Sequence, residues 1–216
     1  MRRSVAKTAG ELMTVEEYLA FEERSRIKHE YMDGEIFAMA GAKRNHSLVG
    51  NNISTELNLQ LREKNCEVHA NDFRVKIREN HYVYPDVVVA CGEIKVNDKN
   101  TTLINPMVIV EVLSKSTEKR DRGDKLEDYF KMESVEDYVL VTQDRVKVEH
   151  YHRESNNKWI LRIYESLEDS LVLDSIDCRV PLKLIYLKVS IAQLSLVDSK
   201  KKNGKLGRKN TKKGTP

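Results

Sequence analysis

Two carboxylates in this chain stand where folded proteins seldom tolerate them. Asp86 follows Pro85 at the mouth of the apolar run 87–91, and Glu111 interrupts the run 107–113, Met-Val-Ile-Val-Glu-Val-Leu. A carboxylate buried in an apolar strand is costly unless it is paired, hydrogen-bonded or bound to a metal. If the two strands are neighbours, the acids converge on one point. Two hard oxygen ligands, with coordination positions left for water, suit Mg²⁺ or Mn²⁺. The competing reading gives each acid a buried arginine or a turn to cap. It serves well for one isolated acid and less well for two on consecutive apolar strands. Downstream, Asp121, Lys125 and Tyr129 recur at a spacing of four, which puts them on one helix face. Lys125 there could offset charge on a phosphoryl group or help orient and deprotonate an attacking water. Its plainer role is a surface ion pair with Asp121.

Further candidates lie on either side. Glu35 directly follows the pair Asp33-Gly34, and Glu30 precedes that pair by three residues. His46 opens a helical pattern, where it could shuttle a proton or support a neighbouring ligand, or simply cap the helix. His150 and His152 alternate on an expected strand and would share a face. An exposed sheet edge explains them more simply than a metal pair does. Cys66, Cys91 and Cys178 are far apart, odd in number and without a CxxC pair. The expectation is three reduced, mostly buried thiols, with neither a disulfide framework nor a cysteine zinc site.

The elements that position these residues follow from periodicity. Thr14 and Glu17 form a capping box ahead of a helix over 15–23. Asp33-Gly34 marks a tight turn between two short strands. Leu48, Val49, Ile53, Leu57 and Leu61 keep helical spacing, so an amphipathic helix over 46–61 should lie on something flat. Phe73, Val75 and Ile77 alternate with Arg74, Lys76 and Arg78, the pattern of a half-exposed strand. Residues 82–91 and 107–113 read as strands, 123–132 as a helix and 138–142 as a buried strand. Residues 145–152 and 159–164 should form a hairpin around Glu154-Ser155-Asn156-Asn157. A last short helix is expected within 182–196. This order gives an α/β fold, a mixed β-sheet flanked by helices with an extra C-terminal β-hairpin.

The chain's 216 residues, 40% hydrophobic and 33% charged, suffice for one ordinary domain. No apolar run approaches the roughly 20 residues of a membrane span, and no apolar signal core follows the basic start Met1-Arg2-Arg3. The expectation is a soluble, cytoplasmic protein without membrane partners. The net charge of +3 conceals an asymmetry. From Ser199 onward there are eight Lys or Arg and no acid, which leaves 29 basic residues against 34 acidic ones before it. Residues 1–11 read as a flexible N-terminus, 12–198 as the domain and 199–216 as a disordered basic tail. That tail either aids solubility or raises nonspecific affinity for nucleic acid. A Gly-rich phosphate loop, a Gly-x-Ser-x-Gly elbow and a His-Glu-x-x-His helix are all missing, so the enzyme classes they mark lack support.

Tyr84-Pro85-Asp86 followed by Glu111-Val112-Leu113-Ser114 resembles the signature of the PD-(D/E)XK superfamily, the restriction-endonuclease-like fold. More narrowly, residues 12–197 resemble the Uma-two family. The carriers are Glu30-Tyr31-Met32-Asp33-Gly34-Glu35, His46, Tyr84-Pro85-Asp86-Val87, Glu111-Val112-Leu113-Ser114, and Arg120-Asp121 through Lys125 to Tyr129. One departure matters: the superfamily's simplest pattern places a lysine two residues after the second acid, and here Leu113 stands there. The resemblance moves that role to Lys125. It implies Asp86, Glu111 and the Val112 backbone carbonyl as metal ligands, Lys125 as base or electrostatic stabiliser, and Glu35 and His46 as further site residues. The implied activity is a Mg²⁺- or Mn²⁺-dependent endonuclease acting on DNA, for which a homodimer would suit cutting of both strands. Its rivals are a catalytically silent nucleic-acid-binding module, a small-substrate metal hydrolase and a structural partner protein.

Overall fold

The structure is a computed structural model that describes residues 12–39, 41–155 and 158–191. Helix α1 (Val15–Glu22) starts at Thr14, whose hydroxyl accepts the Glu17 amide while the Glu17 carboxylate accepts the Thr14 amide. Strands β1 (His29–Met32) and β2 (Glu35–Ala38) form the hairpin that Asp33-Gly34 signals. Both turn residues take positive φ, 49° and 95°, as the tight turns that match strand twist require. A side chain at Gly34 would also stand only 2.6 Å from Leu12 Cβ. Helix α2 (Arg44–Leu61) buries Val49, Ile53, Leu57 and Leu61, the stripe its periodicity marks.

There follow β3 (Cys66–Ala70), β4 (Arg74–Arg78), β5 (His81–Val83), β6 (Val87–Cys91), β7 (Thr102–Leu103) and β8 (Val108–Leu113). Short helices α3 (Glu118–Asp121) and α4 (Asp124–Lys131) lead to β9 (Asp137–Thr142), β10 (Val148–Ser155) and β11 (Lys158–Tyr164). The described chain closes with β12 (Ser170–Leu173), a 3-10 turn at Asp174–Ile176, β13 (Cys178–Pro181) and α5 (Leu182–Ile185).

The central sheet runs β11-β10-β9-β8-β6-β3 and is mixed, with β8 and β9 its parallel pair. A parallel pair needs a crossover, and α3–α4 supplies it. A second sheet runs β2-β1-β5-β4-β7. Between the sheets lies a core that includes Val75, Val83, Val88, Ile109, Leu113, Tyr129 and Tyr138. On the far face of the central sheet, Val87, Val89, Val110 and Val112 pack with the α2 stripe and with Leu171, Val180 and Ile185. Helix α1 covers the outer face of the second sheet through Tyr18, Tyr31, Ile36 and Tyr82.

The fold is thus the expected mixed sheet flanked by helices. The β10–β11 hairpin forms one edge of that sheet, and β12–β13 adds a C-terminal hairpin of its own.

Four readings need correction. Residues 82–91 are two strands in different sheets, because Pro85 has no amide to donate and constrains Tyr84, so the ladder stops there. Arg74 is buried, not solvent-facing: its Nε donates to Thr102 Oγ1 at 2.9 Å, and its guanidinium lies over Tyr18. His150 is not on a free edge, since β11 pairs outside β10 and covers it. Cys66 and Cys91 are not free thiols. They face each other across the β3–β6 ladder, with Cα atoms 4.0 Å apart, and form a disulfide; Cys178 is free and buried. The expectations for 1–11, for the basic tail and for helix beyond Ile191 lie outside the described residues.

Candidate active site

Register brings the two acids together. Strands β6 and β8 are antiparallel, with Val87 opposite Val110 and Val88 opposite Ile109. Asp86 immediately precedes β6 and Glu111 follows Val110 on β8, so the two acids stand at the same end of this strand pair, just beyond Val87 and Val110. Glu111 shares the face of Ile109 and Leu113 and points into the layer between the sheets, whereas Asp86 turns to the β8 backbone and to α2. Asp86 Oδ2 accepts the Val112 amide at 2.6 Å and lies 3.3 Å from His46 Nε2. Both contacts fall on one oxygen, and neither engages Oδ1.

Lys125 occupies the focus. Its Nζ lies 2.8 Å from Glu30 Oε1, 3.0 Å from Glu111 Oε1 and 3.3 Å from Asp121 Oδ1. The Asp121–Lys125 pair read from spacing does form, but it is no surface pair: the side chains are 2% and 4% exposed. Nor do the partners share one helix. The chain breaks at Gly123 between α3 and α4, where any side chain would press on the Lys119 carbonyl. Arg120 reaches the same cluster, with Nη1 3.1 Å from Glu30 Oε2 and its guanidinium stacked on Phe37.

The electrostatics follow from this crowding. Burial pushes the Glu111 carboxyl well above its ordinary range, and Asp121, Asp86 and Glu30 add to that against the pull of Lys125. Burial would lower the Lys125 ammonium, but its three carboxylates more than offset this, so it stays protonated. Burial likewise works against the His46 imidazolium. Asp86 and the Val112 backbone outweigh it and raise His46 above the usual histidine value. Around one point stand the carboxylates of Glu30, Asp86, Glu111 and Asp121 and the permanent cations of Lys125 and Arg120. The negative charge is in excess. A divalent cation would relieve that excess.

Of the residues expected in the site, Asp86, Glu111, Val112, Lys125 and His46 meet. Glu35 does not join them. It lies on the same face of the hairpin as Glu30, but at the solvent end beside the turn, two residues along from Phe37, which pairs with Glu30. At about 3.3 Å per residue that is some 7 Å too far along the strand. The hairpin contributes Glu30 instead. Asp121 and Arg120 complete the cluster; the sequence signals for them were the spacing of four from Asp121 to Lys125 and their place among the residues that carry the family resemblance. Lys115 is exposed beyond the end of β8, and Leu113 is buried in the core, so neither supplies the missing lysine.

A sandwich with two acids at the same end of adjacent strands and a lysine brought in from the crossover helix defines a restriction-endonuclease-like protein. The model of the Uma2 family, described as "Putative restriction endonuclease", matches residues 15–182, and the chain belongs to that family. Among its relatives, an uncharacterized protein of Synechocystis sp. is 37% identical over 177 residues, 81% of this chain and 91% of its own length. A second Synechocystis protein, also uncharacterized, is 36% identical over 152 residues, 69% of this chain and 86% of its own. The crystal structure of a protein from Anabaena variabilis, titled "putative nuclease belonging to DUF820", shares the fold. It superposes with a TM-score of 0.67 at 17% identity, over 81% of this chain and 97% of its own. The family supports a nuclease-like function.

Proposed function

We propose that this protein is a divalent-metal-dependent endodeoxyribonuclease that hydrolyses DNA phosphodiester bonds at the Asp86–Glu111–Lys125 cluster. The observation that carries this reading is the placement of Asp86 and Glu111 at one end of the β6–β8 pair, with Lys125 bonded to Glu111. Asp86, Glu111 and the Val112 carbonyl are the proposed donors for Mg²⁺ or Mn²⁺, an all-oxygen set of the kind hard cations take. The residues fit such an ion: four carboxylates stand around the two permanent cations Lys125 and Arg120, while the Arg120 Nε and Nη2 donors beside them, buried without hydrogen-bond partners, suit an anion such as phosphate. When bound, the ion supplies a Lewis acid and an acidified water.

The protein's own groups do the rest. The Lys125 ammonium, fixed by three carboxylates, offsets charge that builds on the phosphoryl oxygens. The free N–H groups of Arg120 are available donors for a phosphate oxygen. His46 holds its proton at Nε2 against Asp86 and so orients that carboxylate.

Incubation of plasmid and linear duplex DNA with Mg²⁺, Mn²⁺ or EDTA tests the reading. Cleavage should require metal and should fall to background in Asp86→Asn and Glu111→Gln, both still folded by circular dichroism. Metal-dependent cleavage retained by either variant would refute the site. Duplex binding by the wild type without any cleavage would replace the proposal with a nucleic-acid-binding module.

A further inference from the structure

We propose a second metal site, built from Asp137, His150 and His152 and suited to Zn²⁺ or a similar first-row ion but not to Mg²⁺. The three side chains lie on the opposite face of the central sheet from Glu111. Asp137 faces the side of Val139 and Val141, and it pairs with Val108, three residues back along β8 from Glu111. His152 lies opposite Asp137 on β10, and His150 is two residues along on the same face. His150 Nε2 is 2.6 Å and His152 Nδ1 is 2.8 Å from the same oxygen, Asp137 Oδ1. One ligand atom from each residue fits within 4.8 Å of the others. The remaining Asp137 oxygen accepts from the Ser175 hydroxyl, in the 3-10 turn between β12 and β13. Burial would raise the Asp137 carboxyl, but the His150, Ser175 and His152 hydrogen bonds outweigh it, so the group is a carboxylate.

Two imidazole nitrogens and one carboxylate oxygen are the donor set of transition ions, whereas Mg²⁺ takes oxygen. Tetrahedral bonds of about 2.0–2.1 Å place ligand atoms about 3.3 Å apart. The two contacts to Oδ1 would therefore open by roughly 0.5–0.7 Å around the ion. Asp137 and His150 side chains are fully buried, and that of His152 is 19% exposed. The third ligand is thus the entrance, with solvent beside it for a fourth position. With Nε2 on the ion, the ring proton of His150 would sit on Nδ1, which is buried with no hydrogen-bond partner. Through Ser175, an ion here would join β9, β10 and the C-terminal hairpin.

The test uses the full chain stripped with chelator, in an Asp86→Asn/Glu111→Gln background so that the first cluster contributes no binding. Calorimetric titration with ZnCl₂ should show one equivalent bound, and Co²⁺ should give the intense visible band of four-coordination. Zn²⁺ should raise the melting temperature and MgCl₂ should not. His152→Ala alters a solvent-facing position, and its fold is checked by circular dichroism. It should weaken Zn²⁺ binding at least tenfold, and Asp137→Asn should do so where it folds. No stoichiometric Zn²⁺ binding, or binding untouched by His152→Ala, overturns the site. Neither result bears on DNA cleavage at the Asp86–Glu111 cluster.

Discussion

Replacing Lys125 with methionine removes a single charge from the centre of the cluster and leaves Glu30, Glu111 and Asp121 buried around an apolar tip. The methionine occupies much the same volume, so the change is electrostatic rather than a cavity. Removing one partner of a buried ion pair costs about 3–5 kcal/mol, because the remaining charge is left unmatched. A domain of this size loses roughly 2–4 °C per kcal/mol, so the melting temperature should fall by roughly 6–20 °C near neutral pH. The deficit should also depend on pH. Without Lys125, the three carboxyls have folded-state pKa values raised above their unfolded values. The folded state then holds protons more tightly, so stability is best at and below the ordinary carboxylate range and is lost as pH rises through the raised values. Chemical denaturation at several pH values, with an unchanged slope against denaturant, measures this directly. Glu111→Gln in the Lys125→Met background should recover part of the loss, a coupling of about 0.5–3 kcal/mol. A loss below about 1 kcal/mol, the scale of an exposed ion pair, or a loss that does not vary with pH would refute the buried-cluster account.

The His46 ring should titrate above the usual histidine value in the metal-free protein, because Asp86 and the Val112 backbone outweigh burial. Its stabilising contribution is therefore full below the unfolded histidine value and is lost as pH rises through the raised folded value. In Asp86→Asn burial should dominate and bring the titration down; a wild-type ring that titrates at or below the usual value, followed by NMR, contradicts the Asp86 contact. The Cys66–Cys91 bond spans 25 residues of sequence, and closing a loop of that length stabilises by about 3.5 kcal/mol in the chain-entropy treatment. The denatured, unreduced chain should then show one reactive thiol, from Cys178, and three after reduction, with Cys66→Ser/Cys91→Ser melting lower; three thiols before reduction would refute the pairing.

Much of this was legible in the residues themselves. An acid inside an apolar run is so expensive that its presence demands a partner, and that cost singled out Asp86 and Glu111 before any pairing was known. The α2 stripe, the Thr14–Glu17 capping box and the Asp33-Gly34 turn are local devices whose physics spans at most a few turns of chain, so sequence alone determines them. What one strand segment could not reveal is which neighbour lies against it. Pairing of Val87 with Val110 brings Asp86 and Glu111 to the same end of the β6–β8 pair. The hairpin's distance from its own turn selects Glu30 over Glu35. The register of β3 on β6 sets Cys66 against Cys91, and the register of β9 on β10 sets His152 opposite Asp137. Each of these is settled by which strands pair, in which register, as the sheets assemble. Local composition determined which residues needed partners, and only the tertiary structure decided which partners they have.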